Sequence, residues 1–427
     1  MEIKVKMKES KYVLFGLGVH CRRLLTNFPG LGKYIYCFLD SYSDLTEYQD
    51  IPVYKPEVLD DVQMKKYKVI ISGTLYYDEI YELLINRYKM ESERILPSGK
   101  WLAYMLKSHP DVKLCPTSVS IETCTLCQLD CVDCYMRKSD YGTMGKGTLS
   151  LKKFKGFIDK NRYIRHIEIS NNGEPFLNPE LKEILRYAYA NDIQISIGNG
   201  TNLNNVSDDV LEELVKCKVS HVNVSIDGAS QEIYEMYRRK GDFNQVISNI
   251  KKLNSYKRKY ESEYPYIYWQ YVLMEHNECD VEKAKKLSEE LEMKIFYKLS
   301  WDEKNYIPKD CEKMKEITGL EVFNRRDYTK QTGIGYLVNS ACSQIIFSPQ
   351  INWDGRLLGC CSVFQSDWNM NVFENDFLDC INSEKYRNTI ICMLSGDAEN
   401  TEMSHDVPCS KCRNFKEYIE KGQYLVV

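Results

Sequence analysis

Apolar and polar positions alternate along the chain in a way that divides it into strand–helix units from about residue 11. KYVLFGLG is an apolar run ending in glycines, and VHCRRLLTNF behind it spaces its apolar residues as a helix does. YIYCFLDS and YKVIISG are further strand candidates, and DEIYELLINRYKM carries the apolar stripe of a helix. Strands alternating with helices imply a parallel sheet. The alternation resumes from Ile121 to about Tyr297. There IRHIEIS, IQISIGN, HVNVSID, YIYWQYVLM and MKIFYKL read as strands. LKKFKGFIDKN, PELKEILRYAYAN, DDVLEELVKC, NQVISNIKKLNSYKRK and DVEKAKKLSEELE read as the helices between them. This regularity predicts an α/β fold with a full or partial β/α (TIM-like) barrel, its functional loops at the strand C-termini. Residues 101–120 read as a linker between two units. From about residue 311 the chain carries more Cys, Asn and Gly and fewer long helices, as a small metal-stapled domain would.

Composition narrows the partners. The chain has 427 residues, 43% of them apolar and 28% charged, with a net charge of −4. Two or three domains are expected at that length. The charge leaves no global basic field to attract nucleic acid or an anionic membrane surface. No apolar run reaches the roughly 18 residues of a transmembrane helix. The N-terminal MEIKVKMKESKYVLFGLG has neither the long apolar stretch nor the small-residue cleavage site of a signal peptide. The expected location is cytoplasmic, with no nucleic-acid or membrane partner. In that setting the 17 cysteines read as metal ligands or catalysts rather than disulfides. They are clustered between Cys115 and Cys134 and between Cys342 and Cys412.

Residues 1–105 are expected to form a Rossmann-like domain. Gly16 and Gly18 allow a tight turn and close approach to a pyrophosphate, while Cys21 stands where a third glycine would permit close helix packing. Asp40 lies about 20 residues on, where a ribose-binding acid would sit. A dinucleotide or nucleotide-sugar held by Gly16, Gly18 and Asp40 is one reading. A docking domain that kept the fold is the other.

Cys127-x3-Cys131-x2-Cys134 follows directly on a predicted strand. Thiolates hold 4Fe–4S clusters, and three of them leave one iron open. This segment resembles the signature of the radical S-adenosylmethionine (SAM) superfamily, in which SAM fills that open position. Zinc is the alternative, with Cys124-x2-Cys127 as a contributing pair. The resemblance covers about residues 118–300 and extends to later strand ends. It implies an aromatic contact to adenine from Tyr135 and a contact to the SAM amino group from Gly173-Glu174-Pro175. It further implies ribose or methionine contacts from Asn199-Gly200, carboxylate and ribose contacts from Ser225 and Asp227, and a carboxylate partner in Arg238. The barrel domain is expected over residues 116–310.

Cys342-x12-Gly355-x4-Cys360, followed by Cys409-x2-Cys412, resembles the opening of the SPASM extension found in one branch of that superfamily. INWDGRLLGCC reads as a hairpin turning at Asp354-Gly355 and leading to the ligand cysteine. No further cysteines follow Cys412, so the resemblance is to the shortened, twitch-like form over residues 311–427. It implies a second 4Fe–4S cluster on Cys342, Cys360, Cys409 and Cys412, with Cys361 the rival of Cys360 and zinc the alternative metal. Cys380 and Cys392 sit in helical patterns and read as packing.

Together these imply a radical SAM enzyme that makes a 5′-deoxyadenosyl radical and takes hydrogen from a small-molecule substrate. The expected outcome is oxidation or epimerisation of a carbohydrate-like or nucleotide-linked molecule, with flavodoxin or ferredoxin as external electron donor. A peptide-modifying maturase and a non-catalytic iron–sulfur or zinc scaffold are the other readings. Glu168, Gln270, Glu275 and His276 lie near strand ends and are read as structural or solvated rather than catalytic.

Overall fold

The computed structural model describes residues 12–72, 76–138, 142–300, 306–333, 336, 338–361, 367–395, 407–412 and 415–416. The chain divides into two compact units. The first comprises residues 1–117, 345–347 and 378–427, and the second residues 118–344 and 348–377.

In the first unit the predicted elements β1 (Tyr12–Phe15), α1 (Val19–Asn27) and β2 (Ile35–Leu39) form close to their expected limits; two short strands that were not predicted, β3 (Glu47–Tyr48) and β4 (Ile51–Tyr54), come before the predicted β5 (Lys68–Ile71). They are followed by α2 (Tyr77–Glu82), β6 (Ile95–Pro97) and α3 (Ser98–Ser108). The sheet order is β3-β4-β2-β1-β5-β6, and β1 pairs in parallel with both β2 and β5. Val13, Phe15, Cys37, Leu39, Val69 and Ile71 from its central strands share one buried core. The segment read as a linker is in its first part the helix α3. Trp101, Leu102, Met105 and Leu106 recur on one helical face and are buried, which makes the segment part of the core.

The second unit begins with β7 (Ser118–Ile121), α4 (Tyr135–Lys138), α5 (Leu151–Lys160), β8 (His166–Glu168), α6 (Leu181–Ala190), β9 (Gln194–Thr201) and α7 (Asp208–Lys216). It continues with β10 (His221–Ser225), α8 (Gln231–Tyr237), α9 (Phe243–Lys259), β11 (Tyr266–Leu273), α10 (Val281–Glu290) and β12 (Lys294–Leu299). The remaining elements are α11 (Cys311–Thr318), α12 (Arg325–Thr332), α13 (Val338–Phe347), β13 (Gln350–Ile351), β14 (Leu357–Gly359), α14 (Phe377–Ile381) and α15 (Glu384–Ser395). Strands β7 to β12 run side by side in chain order, and every pairing between them is parallel. The unit is a partial β/α barrel. The hairpin expected at Asp354-Gly355 forms between β13 and β14, with Gly355 N–H donating to the Asn352 carbonyl at 2.9 Å. β13 adds in parallel to β7.

The stretch 311–427 is shared between the units, with residues 311–344 and 348–377 in the second and the rest in the first. Cys342 and Cys360 accordingly belong to one unit and Cys409 and Cys412 to the other. Cys380 and Cys392 are buried on their helices.

The two faces of the barrel strands differ in chemistry. Val119, Ile167, Ile195, Val222, Trp269 and Tyr271 are buried on one face. The alternate positions carry Ser118, His166, Ser196, Asn223, Gln270 and Lys298. A closed barrel core is normally filled by branched apolar side chains; this lumen is polar.

Candidate functional site

The cysteine loop leaves the end of β7, the place where a barrel presents its chemistry. Cys127, Cys131 and Cys134 are each partly exposed, whereas Cys124 is buried. Burial, then the charge of Glu174, pushes the Cys127 thiol up to about 12, and the thiols of Cys131 and Cys134 add to the rise. Burial also raises Cys131, while the Arg238 guanidinium works against it. Among the described residues no three His, Cys, Asp or Glu side chains converge on a single ion position. A 4Fe–4S cluster does not ask for that, because each thiolate holds a different iron.

Two donors meet the sulfurs from other strands. Arg238 Nη1 lies 3.9 Å from Cys131 Sγ, and Asn202 Nδ2 lies 3.7 Å from Cys127 Sγ. N–H groups aimed at sulfur favour the thiolate and tune a cluster it holds. The donor set therefore fits an iron–sulfur group with three protein ligands.

The loop is held in place by buried carboxylates. Gly173 has φ +75°, and a Cβ there would run into the Cys124 carbonyl and the Thr125 backbone. Only glycine allows that approach. Next to it, Glu174 N–H donates to the Leu126 carbonyl at 2.8 Å. The Glu174 carboxylate, 1% exposed, accepts from Thr201 Oγ1 and from Asn202 N at 2.7 Å. Burial lifts its pKa to about 7 against the pull of these hydrogen bonds. This carboxylate, expected from the sequence to meet an ammonium, ties the cysteine loop to the end of β9.

Asp227 has a similar internal task. Its side chain is 0% exposed; Oδ2 accepts from Arg238 Nε at 2.6 Å, and Oδ1 from Val272 N at 2.8 Å. Asp227 thus aims Arg238 at Cys131, with each of its oxygens accepting one hydrogen bond from the protein. Ser225 Oγ accepts from Gln270 Nε2 at 3.2 Å. Gly200, with φ +115°, lies so close to it that a Cβ would stand 2.5 Å from Ser225 Oγ. Asn199 is exposed, with its N–H on Ser170 Oγ at 3.1 Å. Tyr135 begins α4 and is 39% exposed.

Asn202, absent from the sequence reading, stands closer to the cysteines than Asn199 does. It was visible only as a polar residue just past a predicted strand. Glu168 is satisfied by Ser170, Ser196 and the Gly198 N–H. Glu275 is exposed, and the His276 ring stacks on Tyr237 with centroids 6.5 Å apart. In the first unit, Gly16 takes φ +96° and Gly18 precedes α1. The Asp40 carboxylate accepts from the backbone N–H groups of Leu17, Tyr42 and Ser43 at 2.8, 2.9 and 2.7 Å. It closes its own loop.

Residues 121–287 match the model of the Radical SAM superfamily. The chain carries a radical SAM domain. Among curated relatives, the AdoMet-dependent heme synthase of Methanosarcina barkeri is 31% identical over 141 residues. Mycofactocin maturase MftC of Mycobacterium tuberculosis is 27% identical over 139 residues. Each match covers 32% of this chain, and 39% and 34% of the respective relative. The shared stretch is thus about a third of each chain and not the full length. The crystal structure of Streptococcus suis SuiB bound to S-adenosylmethionine superposes with a TM-score of 0.51 at 14% identity, over 83% of this chain and 88% of that one. At that identity the likeness is one of fold. Among the described residues no helix is long and apolar enough to cross a membrane.

Proposed function

We propose that the protein cleaves SAM reductively at a cluster on Cys127, Cys131 and Cys134, and that the resulting 5′-deoxyadenosyl radical takes a hydrogen atom from a polar small molecule held in the barrel lumen, leaving 5′-deoxyadenosine and a substrate radical. The observation that carries this reading is the polar lumen beside the cysteine loop. Cys127, Cys131 and Cys134 would hold the 4Fe–4S cluster, which when bound and reduced would supply the electron for cleavage of the SAM sulfonium. The protein's own groups position and select. Glu174 and Gly173 hold the loop against β9. Asp227 orients Arg238 toward Cys131. Ser225, Gln270, Asn223 and Lys298 line the strand faces with hydrogen-bonding groups suited to hydroxyls and charges rather than to hydrocarbon.

Carbohydrate-like or nucleotide-linked substrates suit this lining. A nucleotide held by the first unit would have to use Gly16 and Gly18 without Asp40, whose oxygens are taken. A peptide substrate is the second reading. It is favoured by the domain match to a mycofactocin maturase and by the fold shared with SuiB, which has been crystallised with its precursor peptide SuiA.

Anaerobic reconstitution with iron, sulfide, SAM and dithionite is expected to yield 5′-deoxyadenosine. Cys131→Ala is expected to abolish it, and Cys409→Ala to leave part of it. Iron content reads the C-terminal cysteines separately: about eight irons per chain are expected, and about four would leave the loop cluster alone. Bound zinc without iron–sulfur absorbance would overturn the enzyme reading.

A further inference from the structure

β12 is the last strand of the partial barrel, and Phe296 and Lys298 lie on the same face of it as Gln270 on β11, by the register Gln270 to Phe296 and Val272 to Lys298. Lys298 Nζ donates to Gln270 Oε1 at 2.6 Å and lies 5.4 Å from the centre of the Phe296 ring. Gln270 Nε2 in turn donates to Ser225 Oγ at 3.2 Å. A continuous hydrogen-bonded line therefore runs across the lumen from β12 to β10.

That line contains a cation and no anion. The lumen carboxylate Glu168 is occupied by Ser170, Ser196 and Gly198, and Asp227 by Arg238. Among the described residues Lys298 forms no ion pair. Its pKa is lowered first by burial and then by the positive charge of Arg325, with Cys361 acting weakly the other way. Arg325 opens α12 with its guanidinium 4.8 Å from the centre of the Tyr336 ring. Arg325 Nη2 donates to the Leu299 carbonyl at 3.4 Å, one residue beyond Lys298, so two cationic side chains stand at the end of β12. Placing an ammonium there against a neutral amide is unfavourable unless an anion completes the site.

We propose that the substrate carries a carboxylate or phosphate group, and that Lys298 receives it at the lumen end of β12 with Arg325 adding a second positive charge. The inference rests on the lumen being the substrate chamber. Gln270 has a positioning role: by holding the ammonium from one side and Ser225 from the other, it sets the anion's distance from the cysteine-loop side of the barrel. Neutral sugars and uncharged peptide segments would leave the site incomplete.

The test uses the full-length, anaerobically reconstituted enzyme saturated with SAM, so that the SAM site is filled. Inorganic phosphate, succinate and, as neutral control, glucose are titrated by calorimetry. Wild type is expected to bind phosphate or succinate and not glucose; which anion binds identifies the source of the charge. Lys298→Gln is expected to weaken that binding about tenfold or more, and Lys298→Arg to restore most of it. Rescue by arginine marks an anion site and not a proton acceptor. Circular dichroism and iron content establish that both variants fold and load their clusters. Failure of wild type to bind either anion overturns the inference, as does unchanged binding in Lys298→Gln. Formation of 5′-deoxyadenosine by wild type is measured in parallel. If it forms and no anion binds, only the anion site falls. If an anion binds through Lys298 and no 5′-deoxyadenosine forms, the radical reading falls and the anion site stands.

Discussion

Arg238 and Asp227 show what a buried ion pair does near the cysteine loop. With Asp227 0% and Arg238 15% exposed, water cannot replace either partner. Removing one charge strands the other, at a cost of about 3–5 kcal/mol. Asp227→Asn keeps an acceptor for Val272 N and removes only the charge. It is expected to lower the unfolding free energy, measured by urea titration, by an amount in that range. A second change, Arg238→Met, made in the Asp227→Asn background, is expected to recover much of the loss. Additive losses in the double variant would show that the two residues act independently. The importance of both residues was legible in the sequence: Asp227 falls at the end of a predicted strand, and Arg238 stands in the Tyr237-Arg238-Arg239 stretch that follows. Their partners were not. The sequence reads Asp227 and Glu174 as ligand contacts; the structure adds that both carboxylates hold parts of the protein together, because the fold brings Arg238, Thr201 and Asn202 to them. Asn202 was missed for the same reason: its role exists because Glu174 pins residues 201–202 beside Cys127.

The strands carry a second message in their alternation. Parallel strands buried on both faces usually read as continuous apolar runs, whereas IRHIEIS and HVNVSID place a polar residue at every second position. That pattern was readable, and it marks which face is the lumen. His166 lies on this face, with Nδ1 2.8 Å from Ser118 Oγ and Nε2 2.9 Å from Ser196 Oγ. Burial, reinforced by His221, lowers its pKa from 6.5 to about 4. Between those values the unfolded chain binds a proton that the folded chain refuses. Stability is therefore complete above about pH 6.5 and falls as the pH drops toward about 4. His166→Gln lacks this titration. Its stability loss between pH 7.5 and pH 5, followed by denaturant midpoints, is expected to be smaller than that of wild type by about 1–2 kcal/mol. Equal losses would show that His166 is already solvated in the folded state.

At the scale of the whole chain, the units are not consecutive, and this was the least legible feature. Residues 378 onward return to the unit that the first 117 residues begin, although their cysteines suggested a separate C-terminal domain. The reason is a contact that sequence patterns cannot register, because its partners lie more than 270 positions apart. Arg387 on α15 donates through Nε to the Leu106 carbonyl at 2.8 Å, through Nη1 to the Val112 carbonyl at 2.8 Å and through Nη2 to the His109 carbonyl at 2.9 Å. Leu106 lies in the last turn of α3, and His109 and Val112 follow its end; a cation there also complements the helix dipole. The planar guanidinium can reach all of them at once, which an ammonium cannot. Arg387→Ala should therefore cost about 2–3 kcal/mol in the first unit, with Arg387→Lys recovering only part of it. Hydrogen exchange separates this from a general weakening. Residues 101–108 should lose protection in Arg387→Ala while strand 118–121 of the barrel keeps its own; equal loss in both would mean that the clamp supports the entire chain rather than the unit it closes.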